Sequence, residues 1–243
     1  MSTRFGSAAL YIIFLSFLVL NIAFWLQTKS MRPIWGNVPP VPSQNNAAGM
    51  ALGDAQFAYR LTGLMLQNIG NATDSTKPLS EYNYDTLKGW LFLADHLDPN
   101  SNFVPSLAAY YYGATQDKSD LTPIIDYLEV IGQRPEPQKW RWLAQAVYLA
   151  RFEQNDLQRA LDLANKLANL PRDDLPLWAR QMPALVMNAG GQKEAAYAVM
   201  MSTLTSEIDN LSPPEILFLR NYICDRILTP VQAAQNDLCT KTR

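Results

Sequence analysis

Histidine occurs once in this chain of 243 residues, at His96, and cysteine twice, at Cys224 and Cys239. A single imidazole excludes any metal site built from several histidines. Charge is scarce as well, at 17% of residues with 20 basic against 22 acidic side chains, so the Lys and Arg excess that neutralises nucleic-acid phosphates is missing. An aromatic content of 11% and an apolar content of 48% equally exclude a disordered chain. Catalytic signatures are absent too: there is no Gly-rich phosphate cradle, no G-x-S-x-G elbow, no C-x-x-C-H haem site and no His/Glu metal helix. His96 sits beside Asp95 and Asp98, but at the end of a helical pattern, where an imidazole satisfies the helix dipole without doing chemistry. Glu194, Glu207 and Glu215 read as solvated faces. The expectation is a chain with no catalytic residue, cofactor, metal or small-molecule substrate.

What the chain has is apolar length at its start. Residues 8–26, AALYIIFLSFLVLNIAFWL, contain no charge, and only Ser16 and Asn21 carry polar side chains. As a helix this run is roughly 28 Å long, close to the hydrocarbon thickness of a bilayer. Tyr11, Phe24 and Trp25 lie towards its ends, where amphipathic rings favour the interface. A cleaved signal peptide needs a shorter apolar core and small residues before the cut, whereas here the run continues through Phe24-Trp25-Leu26. A transmembrane helix over residues 8–27 is expected, behind a short cytoplasmic tail at 1–7. Arg4 and the amino terminus on one side balance Lys29 and Arg32 on the other, so charge does not decide the orientation. The long C-terminal part and the even cysteine pair favour a periplasmic domain on a bacterial inner membrane, with Cys224 and Cys239 as a candidate disulfide. Spacing leaves two separate buried thiols as the alternative.

Residues 28–50 form a tether. The stretch PIWGNVPPVPSQNNAAG at 33–49 has four prolines, two glycines and no charge, and is expected to be extended and solvated. The first 32 residues hold three basic groups and no acid, so 17 basic and all 22 acidic side chains follow and the outer part is mildly acidic. Beyond the tether, apolar residues recur at spacings of three and four, without alternating β-branched runs, which predicts an all-α domain over 51–230 and an extension at 231–243. Helices are expected near 52–69, 84–97, 103–116, 120–132, 138–153, 156–169, 175–189, 192–208 and 213–228. Pro183 is expected to kink the seventh, and a polar loop occupies 70–83.

Sliding the chain by 36 residues places Asp120 on Asp156 and on Gln192, each ahead of a helical pattern. The residues Ile124, Ala160 and Ala196 then coincide, as do Leu128, Ala164 and Met200, while Trp142-Leu-Ala-Gln145 falls on Trp178-Ala-Arg-Gln181. Such a register describes antiparallel helix pairs that bury one another's apolar faces. In residues 146–170, Asn155-Asp156-Leu157 stands where the tetratricopeptide repeat family has its Gly-Asp-aromatic turn, with Ala160 at the small position of the second helix. Leu97-Asp98-Pro99-Asn100 is similar to the family's repeat ending. The chain thus resembles a divergent tetratricopeptide-repeat protein, with a spacing nearer 36 than 34 and asparagine in place of the turn glycine.

That resemblance implies an α-solenoid whose first helices line a groove for peptide or protein segments. Three tyrosines at 110–112 cannot all enter one core face, and Trp140, Arg141 and Trp142 point three ways from a helix start. By resemblance, the exposed members of Tyr110, Tyr112, Trp140, Arg141, Trp178 and Arg180 are the candidate partner contacts. The expected role is a non-catalytic, membrane-anchored scaffold that binds protein partners in or near the membrane and supports a multiprotein envelope complex. A constitutive structural subunit of such a complex is the alternative, and a cell-wall-active helical enzyme a distant third.

Overall fold

The computed structural model describes residues 7–29, 38–70 and 77–240. Residues 1–6, 30–37, 71–76 and 241–243 lie outside the described residues, and with them most of the tail, Trp35, the start of the tether and the middle of the polar loop. Every regular element among the described residues is helical, and the chain divides into two units at Gly36/Asn37.

In the first unit, α1 (Ser7–Thr28) contains a stretch, Ala9–Thr28, of mean hydropathy 2.3 with none of it buried. It is long and apolar enough to cross a bilayer. The Ser16 hydroxyl donates to the Ile12 carbonyl at 2.8 Å, so this polar group is satisfied by its own helix.

The second unit contains α2 (Gln44–Met50), α3 (Ala55–Asn68), α4 (Tyr84–Leu97), α5 (Phe103–Ser106), α6 (Leu121–Gly132), α7 (Trp140–Tyr148) and α8 (Leu157–Ala168). These are followed by α9 (Leu177–Arg180), α10 (Met182–Ala189), α11 (Lys193–Ser206), α12 (Pro213–Tyr222), α13 (Pro230–Gln235) and α14 (Asp237–Thr240). Packing follows chain order: α3 lies on α4, α4 on α6, α6 on α7, α7 on α8, α8 on α10 and α10 on α11. Three helices run on into π turns, α5 through Leu107–Tyr111, α7 through Leu149–Glu153 and α12 through Ile223–Ile227. At the second of these the Gln154 amide reaches back five residues to the Leu149 carbonyl at 2.9 Å.

The 36-residue register has a physical counterpart. Asp120, Asp156 and Gln192 stand at the N-caps of α6, α8 and α11, and Asp156 accepts from the Arg159 amide at 2.9 Å. One turn in, Ile124, Ala160 and Ala196 are buried, and one turn further Leu128, Ala164 and Met200 are buried again. Before the caps, Asn155 (φ 57°) and Gly191 (φ 83°) hold the same left-handed backbone. Glycine adopts it freely and asparagine tolerates it, which explains how the two replace one another in this turn.

At four places the structure departs from these expectations or fills them in, for clear causes. Residues 38–50 belong to the compact unit rather than to a solvated spacer: Val38 is buried, the Trp90 indole donates to the Pro39 carbonyl at 2.7 Å, and Ala47 of α2 is buried. Pro183 does more than kink its helix; it sits in the first turn of α10, and the helix is broken at Gln181 from the short α9. The described part of the extension, residues 231–240, lies mostly in α13 and α14. At the end of the 70–83 loop Tyr82 is buried and donates its hydroxyl to the Ile69 carbonyl at 2.5 Å.

The core runs as one cluster from Val38 to Val186, with a second under α11 and α12. Gly132 marks the tightest crossing, because a Cβ there would meet the backbone of Leu143 at the contact of α6 with α7. At the far end Cys224 and Cys239 form a disulfide with their Cα atoms 5.7 Å apart, and the Arg220 Nε donates to the Leu238 carbonyl at 2.8 Å beside it. The bond fastens α14 to the turn after α12.

Candidate functional site

The N-terminal end of α7 is built by a loop with prolines at 135 and 137, which cannot donate backbone hydrogen bonds, and by Gln138 in the left-handed region at φ 65°. Arg172 stabilises that loop from the neighbouring connection. It donates to the carbonyls of Arg134 (2.9 Å) and Glu136 (3.1 Å) and takes Asp174 in a two-point grip, Nε to Oδ1 at 2.7 Å and Nη2 to Oδ2 at 2.9 Å. One guanidinium therefore ties the α6–α7 loop to the α8–α9 loop and fixes Asp174. The same grip holds the Asp174 carboxyl below the usual carboxylate range.

Beside the second of these loops lies a cleft of about 700 Å³ lined by Tyr110, Trp140, Arg141, Gln145, Asp174, Pro176, Trp178 and Met182, among others. Trp140 is buried and meets the edge of Trp178 with ring centroids 5.4 Å apart, while Trp178 itself is 40% exposed. Arg141 lies over the Trp140 ring at 5.6 Å, and no acidic side chain pairs with it among the described residues. On the opposite side Tyr110, 65% exposed, packs its ring against Trp142 at 6.2 Å. The Trp142 indole donates to Asn102 Oδ1 at 2.7 Å, so that wall is pinned to the α4–α5 connection. With Asp174 already neutralised by Arg172, the cleft offers two aromatic surfaces, a proline, a flexible methionine and one free guanidinium.

Four of the six sequence candidates, Tyr110, Trp140, Arg141 and Trp178, come together in this cleft. Tyr112 does not. It is wholly buried and donates its hydroxyl to the Leu66 carbonyl at 2.5 Å, with burial raising the phenol above its ordinary value, so it serves the core. Arg180 is exposed at the end of α9 and lies outside the lining.

Just before Trp140 in the chain, Lys139 belongs to a group of buried charges that periodicity alone does not reveal. Lys139 and Asp95 are fully buried, 3.9 Å apart, with Lys139 Nζ donating to the Ser101 carbonyl at 2.7 Å and Arg134 paired to Asp95 from the rim. Burial pushes the Asp95 carboxyl up, against the pull of Arg134 and Lys139, and pushes the Lys139 ammonium down. His96, by contrast, is exposed on the last turn of α4.

No family model, curated protein or solved structure matches the chain. The tetratricopeptide resemblance accordingly rests on the residues that carry it.

Proposed function

We propose that the chain is a non-catalytic scaffold of the bacterial envelope, in which α1 crosses the inner membrane and the helices from α3 onward stack as a tetratricopeptide-like solenoid on the periplasmic side. Its cleft holds a segment of a protein partner, and in doing so supports assembly or stability of a membrane complex. The observation that carries the reading is the convergence of Tyr110, Trp140, Trp178 and an unpaired Arg141 on one hollow, held by loops that Arg172 clamps in place. Exposed aromatics beside a guanidinium are the composition of binding hot spots, and they suit an apolar or proline anchor next to an acceptor oxygen. The disulfide supports an oxidising compartment for the C-terminal part.

Photo-crosslinking in native membranes tests the reading. With p-benzoyl-phenylalanine at position 110 or 178, a discrete protein adduct is expected at both, and none at exposed Gln158 on α8. Silence at 110 and 178 rejects the partner site. A C-terminal alkaline phosphatase fusion that is inactive rejects the periplasmic orientation.

A further inference from the structure

The face that α7 turns to the cleft is spaced for an extended chain. Arg141, Ala144 and Gln145 line the hollow at positions i, i+3 and i+4 of one helix, which places them on a single stripe. Arg141 and Gln145 are thus one turn apart, about 6 Å along the axis, and the small side chain of Ala144 keeps the wall between them low. Two residues of extended or polyproline-like chain also advance about 6–7 Å. A segment running along α7 therefore brings one side chain to Arg141 and, two residues on, its backbone to Gln145.

The two polar positions make different demands. Arg141 is exposed, lies over the Trp140 ring and has no acidic partner among the described residues, so its guanidinium is open to a carboxylate. The other charge in the lining, Asp174, is occupied by Arg172. One added negative charge balances the cleft, a second has no cation to meet, and a basic side chain is repelled by Arg141. The Gln145 amide has no hydrogen-bond partner among the described residues and offers both a donor and an acceptor, the pair that a peptide unit requires. Trp178, Tyr110, Pro176 and Met182 supply apolar faces around them. A proline suits such faces. Its ring lies flat on an indole or phenol, it brings no amide hydrogen to be desolvated, and it holds a segment extended before binding. We propose that the cleft takes an internal, extended segment of a partner protein in which a single Asp or Glu stands next to a proline, with the carboxylate on Arg141, the proline ring against Trp178 and a backbone amide on Gln145. The proposal rests on reading the cleft as a protein-binding site.

The test passes the full chain, in detergent micelles with its disulfide intact, over immobilised octapeptide pools and measures retained protein with antiserum to the chain. Two adjacent central positions are fixed, the others are randomised over uncharged residues, and both ends are blocked, with a parallel set left free at the C terminus. Glu-Pro and Asp-Pro pools should retain at least about fivefold more protein than Gln-Pro, Lys-Pro or Glu-Ala pools. With Arg141→Glu the order should invert, Lys-Pro above Glu-Pro, a gain that misfolding cannot produce. Gln145→Leu should weaken every pool alike, and its having no effect overturns the proposal. Equal retention by Glu-Pro and Gln-Pro pools, or an acid preference that survives Arg141→Glu, overturns it too; if that retention is lost in Trp178→Ala, the cleft is still a protein-binding site, for a different sequence. Retention confined to pools with a free C terminus overturns it in favour of a chain end. No retention by any pool also overturns it, and adducts at positions 110 and 178 then decide the partner reading separately.

Discussion

Trp140 and Trp178, on different helices, meet edge to face with ring planes at 62°, so a buried indole becomes the support on which an exposed one stands. Trp178→Ala removes the exposed ring and leaves its support. An aromatic anchor of this kind contributes about 2 kcal/mol or more to an interface, so the yield of partner adduct at position 110 should fall at least about tenfold while the thermal midpoint changes little. Arg141→Glu should lower the yield similarly by reversing the only unpaired charge of the cleft.

Tyr112→Phe supplies the complementary case. Its hydroxyl is the hydrogen-bond partner of the Leu66 carbonyl deep in the core, and loss of that bond should cost about 1 kcal/mol in urea unfolding without changing adduct yield. A fall in adduct yield at constant stability would return Tyr112 to the binding surface.

The buried charges of Asp95 and Lys139 should be a net cost. Burial raises Asp95, so its contribution to stability is present in acid and lost as pH rises through the folded value; burial lowers Lys139, so its contribution is present in alkali and lost as pH falls through the folded value. At neutral pH both penalties apply. Asp95→Asn combined with Lys139→Met should therefore stabilise the protein by about 1–4 kcal/mol near neutrality, with the advantage shrinking on both the acid and the alkaline side. Denaturant unfolding of the two proteins across pH measures this. A double variant less stable than the parent at neutral pH would show that the ion pair more than repays its desolvation.

Gly132→Ala should be destabilising although alanine is the better helix former. The added methyl meets the Leu143 backbone, which cannot rotate aside, and overpacking of this kind costs about 1–3 kcal/mol. Unfolding midpoints in urea distinguish this from the small gain that propensity alone would give.

Replacing Cys224 and Cys239 together by serine should lower stability by about 3 kcal/mol, as expected for a closed loop of 15 residues. Protection of the α13 and α14 amides from hydrogen exchange should be lost first, and that of α6 to α8 retained.

Much of the helical organisation was legible because burial repeats. Ile124, Ala160 and Ala196 are all buried one turn into α6, α8 and α11, and the caps of α8 and α11 follow a left-handed turn that Asn155 and Gly191 both reach. The aromatic cluster was legible in part, since three adjacent tyrosines cannot enter one face; which of them stays out depends on the π turn at Leu107–Tyr111, and a 3.6-residue period carries no sign of that extra residue. Arg172 and Lys139 were not legible at all. Their roles depend on carbonyls of loops 38 residues distant, and an isolated cation in a polar stretch looks the same whether it is solvated or clamping.

The Trp90 to Pro39 hydrogen bond also defines a path for mechanical load. A pull on the chain ahead of Val38 meets the compact unit at Val38 and Pro39, where it loads this bond and passes into the middle of α4. The short helix α2, which follows in sequence, is bypassed until that contact fails. The compact unit is thus fastened at its N-terminal end to the side of its first helix pair, through one indole and one proline carbonyl.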